Sequence, residues 1–160
     1  MRATANSLID WSQLDRAEQR GNVLFVLRGP DLYDPALAPL LRRFAAACCR
    51  AVQAHLMEQV SRDALGVIER FAYGQASFAE LVEARDAAKL AARRVRKRCP
   101  KDHHARAASE AVRDAGRNHA FEAVCLTSWA AKRAGLSIRR QAELFERLYE
   151  AWLRGAGCSA

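Results

Sequence analysis

The chain has 160 residues, 51% of them hydrophobic, and carries 26 lysines and arginines against 18 aspartates and glutamates, a net charge of +8. That length suits one folded domain, and the spread of Leu, Val, Phe, Ile, Trp and Met along it excludes a disordered chain. No apolar run approaches the about 18 residues of a membrane span, and residues 1–11 lack the charged start, apolar stretch and cleavage site of a secretion signal, so a cytoplasmic protein with no membrane partner is expected.

Ala, Leu, Arg and Glu dominate the composition, and these side chains lose little freedom in a helix. The expected fold class is all-α, a bundle of five or six helices over residues 1–160, with 1–6 and 155–160 as loose tails. The first helix is expected to begin near Asp10 or Ser12, with Ser12 and Asp15 as a capping box, and to stop at Gly21. Val23 to Leu27 is apolar, but no second strand candidate exists to pair with it. A buried helical turn, closed by Arg28-Gly29-Pro30, is the expectation. Asp34-Pro35 then supplies a capping acceptor followed by a proline whose missing N–H costs nothing there. Leu37, Leu40, Leu41, Phe44, Cys48, Val52 and Leu56 follow at the spacing of one helix face.

A third helix is predicted from Ser61 to Tyr73, ended by Gly74, with Leu65, Ile68, Phe71 and Ala72 inward. Ser77 and Glu80 form the capping box of a fourth, with Leu81, Ala84, Ala88 and Val95 inward and Cys99-Pro100 as its stop. The fifth runs from Asp102 to Ala134, with Ala108, Val112, Ala115, His119, Val124, Leu126 and Ala130 on its apolar side, although Gly116 weakens its middle. Ser137 caps a last helix with Leu144, Phe145, Leu148, Trp152 and Leu153 on its buried face. No linker divides the chain.

Several segments resemble a family of uncharacterised, Ala-rich helical proteins common in planctomycete bacteria. Leu41-Arg42-Arg43-Phe44-Ala45-Ala46-Ala47-Cys48-Cys49-Arg50 is similar to its L-R-x-F-A-x-A-C-C-R stretch. Ser61-Arg62-Asp63-Ala64 and Glu69-Arg70-Phe71-Ala72-Tyr73-Gly74 are similar to its S-R-x-A and E-R-F-A-D-G segments, and Gln141-Ala142-Glu143-Leu144-Phe145 to its Q-A-D-L-L close. Two departures stand beside these matches: the family's long Ala/Trp/Arg repeats shrink to Ser128 through Ala134, and its Asn-Pro-Phe-Arg-Pro ending is missing. The resemblance spans about Val23 to Trp152 and implies fold and segment order, with no activity to carry over.

The basicity is local. Arg93, Arg94, Arg96, Lys97, Arg98, Lys101 and Arg106, against Asp102 alone, hold +6 of the net +8. Such a cluster repels itself unless solvent or an anion screens it, and a polyanion releases counterions on binding there. The N–H groups opening the next helix, beside His103 and His104, add a phosphate-compatible end. Against this, cations at a helix C-terminus also complement its dipole, and a solvated connection accounts for the rest. No aromatic residue interleaves the segment for base stacking, so any nucleic-acid binding is expected to ignore sequence.

Other chemistry is thinner. Cys99 with His103 and His104 lacks a paired C-x-x-C or H-x-x-x-H to complete a tetrahedral site, and His55/Glu58 and His119/Glu122 run in the reverse order to dimetal bundle motifs, without the two further carboxylates. Cys48 and His55 share a face but lie ~10 Å apart along the helix, beyond hydrogen-bond reach. There is no Gly-rich phosphate loop and no G-x-S-x-G. The five cysteines are odd in number and irregularly spaced, as in a reduced protein with small buried thiols. Trp11, Trp129 and Trp152 suit either the core or a contact surface, and core is the expectation. The sequence therefore leads to a non-enzymatic helical interaction module or accessory subunit with a protein partner and no cofactor or metal. Nucleic acid bound through residues 93–106 is the alternative, and a metal-dependent enzyme is the remote one.

Overall fold

The computed structural model describes residues 8–28 and 31–156. Its α-helices are α1 (Leu14–Arg20), α2 (Ala38–Ala51), α3 (Gln59–Ala72), α4 (Phe78–Arg98), α5 (His103–Ala115), α6 (Ala120–Arg133) and α7 (Ile138–Ala156). The all-α expectation holds, but there are seven helices among the described residues where five or six were expected. The extra one comes from the segment 102–134, which breaks between Ala115 and Ala120 into α5 and α6. The break lies at a close approach: a Cβ on Gly116 would lie 2.9 Å from Arg85 Cβ and 3.3 Å from its Cα, so glycine lets the end of α5 come this close to α4. Arg42, buried on α2, donates to the carbonyls of Arg117 and Asn118 and fastens the bend.

Caps set most other boundaries. Ser77 accepts from the Glu80 N–H at 3.2 Å while Glu80 accepts from the Ser77 N–H at 2.7 Å, the reciprocal box that opens α4. Asp34 accepts from the Ala36 N–H at 2.9 Å and starts a 3-10 turn, Pro35–Leu37, that leads into α2. At the first helix the cap is Asp10, not the expected Ser12/Asp15 box: its carboxylate accepts from both the N–H and the hydroxyl of Ser12. Gly21, at φ +70°, ends α1 in a left-handed conformation that L side chains rarely adopt. Val23–Phe25 is a 3-10 turn with Val23 and Val26 buried, and Leu27 adds an antiparallel bridge to Ile9. The helix expected to reach Leu56 stops at Ala51, and the 3-10 turn Gln53–His55 carries the chain on with Val52 and Leu56 still buried.

The core gathers around α2, which packs against α3, α5, α6 and α7. Phe44 meets Phe145 of α7 edge to face at 5.3 Å, within the favoured range for aromatic pairs. Cys48 and Cys49 are fully buried, and desolvation pushes both thiols well above their ordinary value. Alanines floor the α5/α6 contact, among them Ala107, Ala111, Ala123 and Ala130, so those helices approach closely. One buried polar network is paired throughout: Ser128 donates to Gln141 at 2.6 Å and accepts from the Val23 N–H, while Gln141 donates to the carbonyls of Ser128 and Leu136. Glu18 of α1 accepts from the Ile138 N–H at 2.8 Å and from Lys132 at 2.6 Å, and so caps α7 from another helix.

Two tryptophans depart from the core expectation. Trp129 is 49% exposed and Trp11 38%, with the guanidinium of Arg133 over one ring at 4.7 Å and that of Arg139 near the other at 5.6 Å. Trp152 packs partly buried against the core, but Leu153, expected inward, is exposed. Helix α7 includes residues 155 and 156, part of the stretch expected to be loose; residues 1–6, Gly29, Pro30 and Cys158 lie outside the described residues. Among the described residues no helix is long and apolar enough to cross a membrane.

Candidate anion-binding groove

Helix α4, about 31 Å long at the α-helical rise, outreaches α3 on one side and α5 on the other. It packs antiparallel to α5 after the turn at Cys99–Asp102, where Asp102 caps α5 by accepting from the Ala105 N–H at 2.9 Å. Between the two helices lies an open groove of about 550 Å³, lined by Arg85, Lys89, Arg93 and Arg96 of α4 and by Arg113 and Arg117 on or just past α5. Asp86, Glu110 and Ala92 complete the lining, so six cations face two acids.

The two walls are built differently. On α4, Lys89, Arg93 and Arg96 are exposed and make no hydrogen bond or ion pair with any described residue. Their spacing of four and then three residues puts them on one face at rises of about 6 and 4.5 Å. On the α5 wall the arginines are held. Arg113 donates through Nε and Nη2 to the two oxygens of Asp114, both at 2.8 Å. Those hydrogen bonds push Arg113 above its ordinary value. Arg117 donates to Glu122 at 2.9 Å and lies 3.7 Å from Asp114. At the far end Arg85 is spent on Asp86 and on the Asn118 side-chain oxygen at 2.8 Å. Glu110 turns away to pair with Arg133 of α6 at 2.9 Å.

The seven residues singled out in the basic segment are therefore dispersed. Arg93 and Arg96 line the groove. Arg94 lies on the other side of α4, where Glu58 accepts from its Nε at 2.9 Å, and Arg98 approaches the same carboxylate at 3.7 Å. The hydrogen bonds from Arg94 hold Glu58 below its ordinary carboxylate value. Arg106 donates to the Pro100 carbonyl at 2.9 Å and staples the turn. Lys97 and Lys101 stay exposed, away from the groove lining. Lys89, Arg113 and Arg117 fall outside that segment, although two i,i+4 ladders, Arg85/Lys89/Arg93 and Arg113/Arg117, mark them in the sequence.

The groove holds no hydroxyl, thiol or imidazole and no aromatic ring. Its chemistry is electrostatic and directional hydrogen bonding to anions, with no nucleophile and nothing for a base to stack on. The other candidates do not assemble. Cys99 Sγ lies 3.6 Å from Met57 Sδ, and His104 meets His55 with ring centroids 5.0 Å apart. Glu58 and Glu122, the carboxylates of the two His/Glu pairs, are taken by arginines, and no three of His, Cys, Asp and Glu converge among the described residues. Cys48 is buried and its thiol stays protonated, while His55 is exposed.

The chain matches no protein-family model, no curated protein and no solved structure.

Proposed function

We propose that this chain is a non-enzymatic helical module that holds a nucleic-acid backbone, without reading its sequence, in the groove between α4 and α5. The observation that supports the reading is the row Lys89, Arg93 and Arg96: three cations on one helix face, with no acid to neutralise them, opposite two arginines already held in place. A phosphate chain neutralises such a row and releases its own counterions, which is the sequence-independent part of nucleic-acid affinity. Without stacking rings or base-reading side chains in the groove, discrimination among sequences has no physical source there.

Fluorescence anisotropy with duplex DNA and with single-stranded RNA, across a salt series, tests this. Wild-type protein should bind at low salt, and Lys89→Ala, Arg93→Ala and Arg96→Ala together should flatten the log-log salt slope for duplex DNA by about 2.7. No binding at low salt, or binding indifferent to the triple change, refutes it. The proposal includes a cytoplasmic setting, in which the free thiols Cys48, Cys49, Cys99 and Cys125 stay reduced. Kinship with the Ala-rich planctomycete family is proposed on the motifs quoted above and adds no activity.

A second reading, a protein partner, is favoured by the strip between α3 and α4. Val60, Val67 and small alanines form its floor, and Asp63, Glu80 and Glu83 its rim, a surface fitted to an apolar partner segment with basic flanks. A co-purifying protein that is lost when Asp63 and Glu83 are changed to Lys supports this reading; one retained by that variant counts against it.

A further inference from the structure

Asp114 breaks a local rule. It lies in the last turn of α5, where the negative end of the helix dipole disfavours an acid, and its side chain is only 4% exposed. A buried carboxylate is costly unless it is paired, and here both oxygens are used on the arginines of one groove wall. A guanidinium carries five N–H donors in a rigid plane. Arg113 commits Nε and Nη2 to Asp114 and leaves Nη1 without a protein acceptor; Arg117 commits Nη1 to Glu122 and leaves Nη2 without one. Both arginines are about one third exposed and line the groove. Long side chains held this way lose little further freedom when an anion arrives, whereas Lys89, Arg93 and Arg96 must be ordered by it.

We infer that Arg113 and Arg117 form a fixed phosphate-binding subsite in the groove, with Asp114 as its positioning residue. The inference rests on the proposal that the groove takes a phosphate polymer. It assigns the walls different work: α4 supplies attraction at a distance, and α5 supplies directed hydrogen bonds to one phosphate group.

The sign of one substitution separates this from a pure charge account. Asp114→Asn raises the net charge by one, so if charge alone mattered the protein would bind a polyanion more tightly. A positioning role requires the opposite: a fluorescein-labelled oligothymidylate should bind about tenfold more weakly at fixed salt, with the salt slope no flatter than wild type. Arg113→Lys, which keeps the charge but loses the fork, should weaken binding in the same direction, again with the slope unchanged. Circular-dichroism melting identifies a variant that fails to fold. If Asp114→Asn is such a variant, Arg113→Lys and Arg117→Lys decide the matter, because both sites are partly exposed. Affinity equal to or tighter than wild type in the folded variants overturns the subsite while leaving the groove reading intact. A wild-type protein that does not bind the oligonucleotide at low salt overturns the subsite, and one that also fails to bind duplex DNA and RNA overturns the groove reading with it.

Discussion

Along the last turns of α4, Arg93 and Arg96 line the groove toward α5, while Arg94 and Arg98 lie beside the start of α3. All four belong to one run of sequence and share a helix end whose dipole favours cations. They differ in what the fold brings to them. Glu58, the residue just before α3, meets the second pair and offsets one of its two charges; on the groove side Glu110 lines the wall but pairs with Arg133. Arg93 and Arg96 are thus left without an ion pair while Arg94 and Arg98 are not, and net charge by itself does not tell the two pairs apart.

Three changes should alter the contrast between these two faces, the first most strongly. Gly116→Ala should do most: its Cβ would sit 2.9 Å from Arg85 Cβ, so α5 must shift away from α4, at a cost of about 1–3 kcal/mol, read in denaturant unfolding, and with the groove walls displaced. Glu58→Gln makes the two faces alike. It frees Arg94 and Arg98, so the salt slope for DNA binding should steepen by up to about one while stability falls by about 1 kcal/mol, as for an ion pair whose arginines reach solvent. Acidification does the same reversibly and should have the smallest effect. Hydrogen bonds from Arg94 hold Glu58 below the ordinary value of 4.5. Its contribution to stability is therefore complete above that value and lost as pH falls below it through the lowered folded-state value. The difference in melting temperature between wild type and Glu58→Gln should shrink over that acid range; a difference that stays constant or widens would refute the pairing.

Much of the architecture was legible because local chemistry marked it. Ser77 with Glu80, Asp34 with Pro35, and the glycines at 21 and 74 each satisfy or relieve a helix end using neighbours in sequence. The missed break between α5 and α6 had only a weak local mark, Gly116, which one helix can also tolerate. The apolar spacing from Ala108 through Val112 to Val124 runs on as if through one helix, and the side chain packed on Gly116 at the break, Arg85, precedes it by 31 residues. The tryptophans misled for a related reason: an indole can lie half exposed under an arginine, and while Arg133 follows Trp129 by one helical turn, Arg139 meets Trp11 only through the fold. Two of the six groove cations lay in the basic segment read from the sequence. The basic run pointed to Arg93 and Arg96, but the second wall lies on another helix, and the acid that pairs with Arg94 and Arg98 comes from the residue before α3.

Two matched double variants weigh the groove face of α4 against its opposite face. Arg93→Ala with Arg96→Ala and Arg94→Ala with Arg98→Ala each remove two charges from the same helix end. If the groove is the binding surface, the first pair should flatten the duplex-DNA salt slope by about 1.8 and the second by no more than about half of that, since Glu58 already offsets its cations. Equal losses from both pairs, or a larger loss from the second, would contradict the account.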